Sequence, residues 1–156
     1  MTNARTRRKP GEKAEADKAA AYKLEEQVGF LLRCAHQKAT ETFNAVMAPF
    51  AVTPTQFAAL AKLDDLGSVS QNQLGRLIAM DPATISGVVG RLIARRFVRQ
   101  SPDAKDARLV LLALTPVGRA AIREMKAAAA QVSRRTLEPL TRDEAAAFVA
   151  MLARLG

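Results

Sequence analysis

The chain has 156 residues and a mass of 16.8 kDa, which fits one ordinary domain with a short tail. It carries 24 Lys and Arg against 15 Asp and Glu, a net charge of +9, and 49% of its residues are hydrophobic. This composition excludes a wholly disordered chain, and no apolar run approaches the roughly 20 residues of a membrane-spanning helix. One cysteine and one histidine argue against a disulfide framework or a metal site, so we expect no metal and no cofactor.

The positive charge is concentrated in separate segments, which favours a polyanionic partner such as nucleic acid. Residues 1–23 and residues 68–116 each carry a net charge of +4, whereas residues 24–67 carry −2. The chain begins with a basic arm, residues 1–19, whose first cations are Arg5, Arg7, Arg8 and Lys9. We expect this arm to be disordered, and either to remain a solvated terminus or to reach a DNA minor groove.

Five helix starts are marked by Ser, Thr or Asp, whose side-chain oxygens can accept hydrogen bonds from the free amides of a first turn. Each is followed by Pro at the next position or by Gln or Glu at the third, as helix starts favour. These residues are Thr53, Ser70, Asp81, Thr115 and Thr141. With the apolar periodicity they predict helices over residues 20–48, 54–65, 71–79, 82–96, 116–136 and 142–155.

Between the fourth and fifth predicted helices the apolar period changes to that of strands. Residues 97–100 and 109–114 are predicted to form a hairpin around a turn-rich polar loop, residues 101–106. The third and fourth helices are separated by only Met80 and Asp81, which is typical of a helix-turn-helix whose second helix enters the major groove. The hairpin follows at the position of a wing.

The fourth predicted helix has the composition of a DNA-reading helix. It opens with small and polar residues that allow close approach and base contacts, namely Ala83, Thr84, Ser86 and Gly87. It ends with arginines suited to phosphates, Arg91, Arg95 and Arg96. The absent side chains of Gly87 and Gly90 permit close approach of DNA or of a neighbouring helix, and a tight helix–helix contact inside the protein is the alternative.

The block from Ser70 to Leu114, in its helical setting, resembles the MarR family of winged-helix regulators, and the likeness extends over residues 24–155. It is carried by Asp81-Pro82-Ala83-Thr84-Ile85-Ser86, Arg91-Leu92, Arg95, Val98, Asp106-Ala107-Arg108, Leu114-Thr115 and Gly118-Arg119. The sequence departs from the family at Gly87, where a polar residue is frequent, at Gly90, where Asp is frequent, and at Arg96, where Gly is frequent.

The resemblance implies a two-fold dimer on a palindromic operator, with the fourth helix in the major groove and the wing at the minor groove. Arg108 matches the wing arginine that reaches the minor groove, and Asp106 matches its partner. A narrow minor groove attracts Arg, and Asp106 is placed to orient the guanidinium. Ser70, Gln71 and Lys105 complete the predicted DNA contacts.

The last predicted helix presents Phe148, Leu152 and Leu155 on one side, which favours burial against a second copy. Packing on the first helix of the same chain is the alternative. We therefore predict that residues 20–52 and 116–156 form a dimerisation region, and that residues 53–115 form the DNA-binding domain.

The resemblance also implies a small aromatic ligand or an aromatic acyl-CoA, and some relatives respond to oxidants. An anionic aromatic molecule needs a cation beside an apolar slot. The candidate residues are Arg33, His36, Gln37, Phe43, Met47 and Phe57, although surface or interface roles remain the alternative for the polar ones. Cys34 is expected to be a small buried hydrophobe, with redox sensing as the alternative.

These features predict a mainly α winged helix-turn-helix protein with a small hairpin wing and long dimerisation helices. We expect a cytoplasmic, non-enzymatic, homodimeric regulator, a repressor released from double-stranded DNA by a small aromatic acid or its CoA thioester. The alternatives are a redox-responsive regulator using Cys34, or a nucleic-acid-binding module without a small-molecule ligand. Only 4% of residues are aromatic, which argues against stacking of single-stranded RNA.

Overall fold

The structure is a computed structural model that describes residues 22–104, 106 and 108–155. The basic arm therefore lies outside the described residues. The described residues divide into two compact units, a smaller one that ends at Gln37 and a larger one that begins at Lys38.

In the smaller unit, a 3-10 helix (Leu24–Glu26) precedes helix α1 (Val28–Met47), whose first ten residues belong to this unit. The prediction of one continuous helix from residue 20 is wrong for the described residues before Val28. Gln27 has an extended backbone, with φ −82° and ψ 128°, which separates the two helices. Several apolar side chains of this unit are exposed: Leu24, Val28, Leu31 and Leu32.

The larger unit contains the remainder of α1 and a 3-10 helix (Ala48–Phe50) that directly follows it. The other helices are α2 (Pro54–Leu66), α3 (Gln71–Leu77), α4 (Pro82–Ala94), α5 (Pro116–Thr136) and α6 (Arg142–Leu155), and the strands are β1 (Ser68–Ser70), β2 (Val98–Pro102) and β3 (Val110–Leu114). All five predicted caps are confirmed by side-chain hydrogen bonds to first-turn amides: Thr53, Ser70, Asp81, Thr115 and Thr141. Local capping chemistry therefore positions each helix start as the sequence predicts.

The strands form an antiparallel sheet in the order β1–β3–β2. The predicted hairpin is β2 and β3, in which Val98 pairs with Leu114 and Pro102 with Val110. Strand β1 was not predicted, because three residues with one apolar side chain are too short for an alternating pattern. It pairs with β3 through Val69 opposite Leu112, so the wing is anchored to the residues directly before α3.

The hydrophobic core of the larger unit lies among the end of α1, the helices α2, α3, α4 and α5, and the sheet. Helix α4 buries one face in it, with Ile85, Val88, Val89 and Leu92 at most 2% exposed. Burying these four side chains fixes the rotation of α4 and leaves its opposite face in solvent. Helix α6 has no buried residue among those described. No single described helix is long and apolar enough to cross a membrane, and only the bent pair α3 and α4 meets that length and composition together.

Candidate nucleic-acid interface

Helices α3 and α4 form a tight helix-turn-helix, with the chain bending by 110° between them. Helix α3 ends two residues earlier than predicted, because Ala79 adopts φ +53° and the Met80 N–H donates to the Gly75 carbonyl at 2.8 Å. A Cβ at buried Gly75 would lie 3.1 Å from the Met80 carbonyl oxygen and 3.3 Å from Ile85 Cγ2. The missing side chain thus lets the turn close directly onto α4.

The first turn of α4 is organised by Asp81. Its carboxylate accepts hydrogen bonds from the Ala83 and Thr84 amides, at 3.0 and 2.9 Å, and from the Thr84 hydroxyl. These bonds, above all the one from the Thr84 hydroxyl, lower the pKa of Asp81. Because the Thr84 proton is engaged by Asp81, this predicted base-contacting residue can offer a base only the acceptor side of its hydroxyl.

The solvent-facing side of α4 is smooth and open. Ala83, Ser86, Gly87, Gly90 and Arg91 are all exposed. A Cβ at Gly90 would meet nothing within 4 Å, and one at Gly87 would meet only the Arg91 guanidinium nitrogens, at 3.6 and 3.8 Å. The interpretation of these glycines as an internal helix–helix contact is therefore wrong for the described residues, and close approach of another molecule remains.

Arg95 is bonded within the protein, contrary to the prediction that it faces phosphate. Its guanidinium donates to the carbonyls of Ala51 and Phe50, each at 2.8 Å, and lies 4.5 Å from the ring centroid of Phe97. The side chain therefore ties the C-terminal end of α4 to the segment before α2. This position holds the helix in place and leaves the guanidinium unsuited to a DNA phosphate.

The segment after α4 packs against the start of α5 through residues that carry the resemblance to the MarR family. Helix α4, predicted to reach residue 96, ends at Ala94, and Arg96 follows it in the left-handed conformation at φ +59°. The Thr115 hydroxyl donates to the Arg96 carbonyl at 2.6 Å and accepts the Gly118 amide at 3.0 Å. A Cβ at Gly118 would lie 2.0 Å from the Phe97 carbonyl oxygen, so no side chain fits there. The Leu-Thr-x-x-Gly-Arg pattern thus fixes the base of the wing.

In the wing loop, the Asp106 carboxylate accepts the backbone N–H of Arg108 at 3.0 Å. This contact fixes the main chain of the loop, and the orientation of the Arg108 guanidinium by Asp106 stays a prediction. Asp106 and Arg108 are both exposed at the tip. Lys105, also predicted to contact DNA, lies outside the described residues.

At the start of α3, Ser70 is partly buried and its hydroxyl accepts the Gln73 amide, so it acts as the helix cap, while the neighbouring Gln71 is also partly buried. Sequence reasoning did not select Arg76 of α3 or Arg99 of β2, although both are exposed cations. The sequence feature that could have identified them is their positive charge within the basic segment of residues 68–116. The strand alternation from buried Val98 to exposed Arg99 is visible only once the register of β2 is known.

The predicted ligand residues of the larger unit lie mainly in its core. Phe43 and Met47 are 7% and 1% exposed, and the rings of Phe43 and partly buried Phe57 lie 5.8 Å apart. These contacts argue against an open apolar slot at Phe43 and Met47. An open cavity of about 480 Å³ in this unit has other residues in its lining: Lys38, Glu41, Thr42, Ala45, Arg135 and Glu138.

The predicted polar ligand residues belong to the smaller unit. Arg33, His36 and Gln37 are exposed, and the Arg33 guanidinium lies 5.2 Å from the ring centroid of Phe30. Cys34 is also exposed. The expectation that it is a buried hydrophobe is therefore wrong, because α1 turns this position towards solvent.

A bent helix pair, an anchored second helix with an open face and a hairpin wing within a three-stranded sheet together define a winged helix-turn-helix protein. The MarR family model matches residues 52–110. The chain is 39% identical over 134 residues to the HTH-type transcriptional repressor NicR of Pseudomonas putida, covering 86% of this chain and 85% of NicR. The chain belongs to the MarR family of winged-helix transcriptional regulators.

Two solved structures with high identity have the same fold. A probable transcriptional regulator from Pseudomonas aeruginosa is 44% identical with a TM-score of 0.83, covering 86% of this chain and 100% of that one. BpsR of Bordetella bronchiseptica is 38% identical with a TM-score of 0.82, and the match covers 86% of this chain and 96% of BpsR. The DNA binding of BpsR is regulated by 6-hydroxynicotinic acid. Both likenesses therefore extend beyond the helix-turn-helix to most of the chain.

Proposed function

We propose that this MarR family regulator is a cytoplasmic, homodimeric, sequence-specific DNA-binding repressor that a small aromatic acid releases from a palindromic operator. The observation that carries the proposal is the open face of α4 beside a wing that exposes Arg108. One face of α4 is locked into the core, so the opposite face is presented to a partner in a single orientation. Such pre-organisation reduces the entropy lost on binding.

In this proposal α4 enters the major groove and the wing lies along the minor groove. Ala83, Ser86 and Gly87 allow the helix axis to approach the base edges. Arg108, with Lys105 beside it in sequence, supplies positive charge to the minor groove and its phosphates. The hydrogen bond from the Arg108 amide to Asp106 holds the loop in the conformation that projects this side chain.

The dimer is proposed from exposed apolar surface. In α6, Leu155 is 73% exposed and Val149, Met151 and Leu152 are also exposed. In the smaller unit, the start of α1 exposes Val28 and Leu31. A second copy would remove these side chains from water, and a two-fold arrangement would present two α4 helices about one DNA turn apart.

An anionic ring compound is proposed as the ligand. The support is the likeness to BpsR, whose DNA binding 6-hydroxynicotinic acid regulates. Arg33 or His36 would supply the cation for its carboxylate, with Gln37 as a further hydrogen-bonding group. Because Phe43 and Met47 are occupied in core packing, the apolar wall of the site would come chiefly from the exposed surface of α1 and its dimer partner.

Gel retardation of the DNA upstream of its own coding region tests the ligand proposal. We expect the wild type to give a retarded band that disappears when 6-hydroxynicotinic acid is added. The Arg33→Ala, His36→Ala double variant should still give the retarded band at the same concentration of the acid. A Lys62→Ala variant, at a partly buried position of α2, is the control and should respond as the wild type does. If only an aromatic acyl-CoA releases the DNA, the proposed ligand would be the CoA thioester and not the free acid.

Release by peroxide that is lost in Cys34→Ser would favour the redox-responsive regulator, because the exposed thiol would then be the sensor. A retarded band that none of these compounds releases would contradict the ligand proposal. It would favour a nucleic-acid-binding module without a small-molecule ligand.

A further inference from the structure

Helix α4, which the structure describes in full, has Arg91 as its only charged residue. The remaining polar side chains of its exposed face, Thr84 and Ser86, carry only short hydroxyls, and the Thr84 proton is donated to Asp81. Arg91 is therefore the one side chain of this helix that combines reach with several hydrogen-bond donors.

The Arg91 side chain runs back along the helix rather than away from it. Its guanidinium nitrogens lie 3.6 and 3.8 Å from the point that a Cβ of residue 87 would occupy. Long helical side chains point towards the N-terminus and cover the preceding turn. A Cβ at these distances would make only ordinary van der Waals contact, whereas a longer side chain at position 87 would extend into the space that the guanidinium occupies.

This direction matters because a recognition helix contacts base edges with its N-terminal half, whereas its C-terminal end lies near the backbone. Lying over Gly87, the guanidinium is carried towards Ala83, at the base-reading end of α4. A long side chain at position 87 would occupy the same space and turn Arg91 towards the C-terminal end, where phosphates are the available partners.

We propose that Arg91 reads a guanine in the major groove, and that Gly87 determines this specificity by leaving the path of the guanidinium open. Guanine presents its N7 and O6 as two adjacent acceptors, which the two-pronged guanidinium matches. The inference rests on the proposed DNA-binding function and names the base that α4 reads.

Selection from a pool of random duplex DNA tests the inference, with the full-length wild type, Arg91→Ala, Gly87→Gln and Leu66→Gln each selected separately. Leu66→Gln is the matched control, because it introduces the same side chain at a position that is 49% exposed at the end of α2, outside the helix-turn-helix. All three positions are exposed, and thermal melting establishes that each variant is folded.

We expect the wild type and Leu66→Gln to select a half-site with one invariant guanine. Replacing that guanine should weaken their binding about fivefold to 150-fold, the range for a bidentate base contact. Arg91→Ala and Gly87→Gln should both lose this discrimination while still binding duplex DNA. Their effects should not add in the double variant, because both remove the same contact.

A uniform loss of affinity for all duplexes in Arg91→Ala, with a salt slope lower by about one, would overturn the inference and make Arg91 a phosphate contact. Unchanged discrimination in Gly87→Gln would overturn the role of Gly87. A wild type that retains no duplex at low salt would instead contradict the proposed DNA-binding function itself.

Discussion

At the scale of single residues, Arg95 joins two parts of the larger unit that are distant in sequence. Its two hydrogen bonds reach carbonyls 44 and 45 residues earlier, and its guanidinium stacks on Phe97 at the entry to the wing. It therefore holds the end of α4, the segment before α2 and the base of the wing together.

Arg95→Ala should lower the free energy of unfolding by about 1–2 kcal/mol, since it removes two charge-assisted hydrogen bonds at a partly exposed site. Its salt slope for DNA binding should equal that of the wild type. Urea unfolding and a salt series check both expectations, with Arg91→Ala as a control whose stability stays within about 0.5 kcal/mol of wild type. If Arg95→Ala is as stable as the wild type but has a smaller salt slope, the prediction that Arg95 contacts a phosphate would be supported instead.

The Asp81 cap predicts a pH dependence of stability. Hydrogen bonds, chiefly from the Thr84 hydroxyl, lower the pKa of Asp81 below its ordinary value of 3.8. The stability that they contribute is complete above the ordinary pKa of the unfolded chain, and it is lost as the pH falls through the lower pKa of the folded protein.

Asp81→Asn should therefore unfold at a lower urea concentration than the wild type at pH 7, and the two midpoints should converge as the pH falls below 3.8. Asn retains a capping oxygen but has no charge to titrate, which makes it the appropriate comparison. A difference between the midpoints that stays constant down to low pH would contradict a charged cap.

The five caps could be predicted because each depends on residues within three positions of one another. The role of Arg95 could not, because its partners lie on a different segment and only the folded chain brings them together. The exposure of Cys34 was missed for a related reason, since a helix pattern does not say which of its faces remains without a partner.

At the scale of elements, the two helices of the helix-turn-helix end alike, although neither ends in glycine. Ala79 after α3 and Arg96 after α4 both adopt positive φ, at 53° and 59°. After each of these residues, the next backbone N–H donates to a carbonyl in the last turn of the helix. The Met80 N–H donates to the Gly75 carbonyl, and the Phe97 N–H donates to the Leu92 carbonyl. This is the Schellman geometry, whose left-handed position normally favours glycine.

Arg96→Gly should raise the free energy of unfolding by about 0.5–1 kcal/mol. The left-handed conformation costs about 1–2 kcal/mol in a residue with a Cβ, and part of the gain is offset by the greater freedom of glycine in the unfolded chain. Chemical unfolding measures the change. Arg99→Gly in β2, which lacks a positive φ, is the control and should be destabilised; an equal loss at both positions would contradict strain at Arg96.

The helix-turn-helix and the wing hairpin were predictable because turn residues, caps and a change of apolar period mark them within short windows. Strand β1 was not, since its pairing with β3 joins residues more than 40 positions apart. The boundaries shifted where a left-handed residue ended a helix early, as at Ala79 and Arg96, because the apolar pattern continues past both positions.

At the scale of the whole molecule, the apolar surface of α6 requires a partner in the proposed dimer. A Leu152→Lys, Leu155→Lys double variant should shift the protein from dimer to monomer in sedimentation velocity, because charge replaces apolar side chains at the interface. It should also bind operator DNA more weakly, because the two α4 helices would no longer be linked.

Leu66→Lys is the matched control, since Leu66 is 49% exposed at the end of α2, outside α6. It should leave the sedimentation coefficient unchanged. A wild type that sediments as a 16.8 kDa monomer at micromolar concentration, or a dimer that the double variant does not disturb, would contradict the use of α6.

The measurement that tests the central claim most directly is the affinity of the wild type and of Arg108→Ala for duplex DNA from the upstream region, over a range of salt concentrations. The account predicts tight, salt-dependent binding by the wild type. It predicts weaker binding by Arg108→Ala, with a salt slope smaller by about one per wing because one minor-groove charge is lost. Equal affinities and slopes for the two proteins, or no duplex binding by the wild type at low salt, would contradict it.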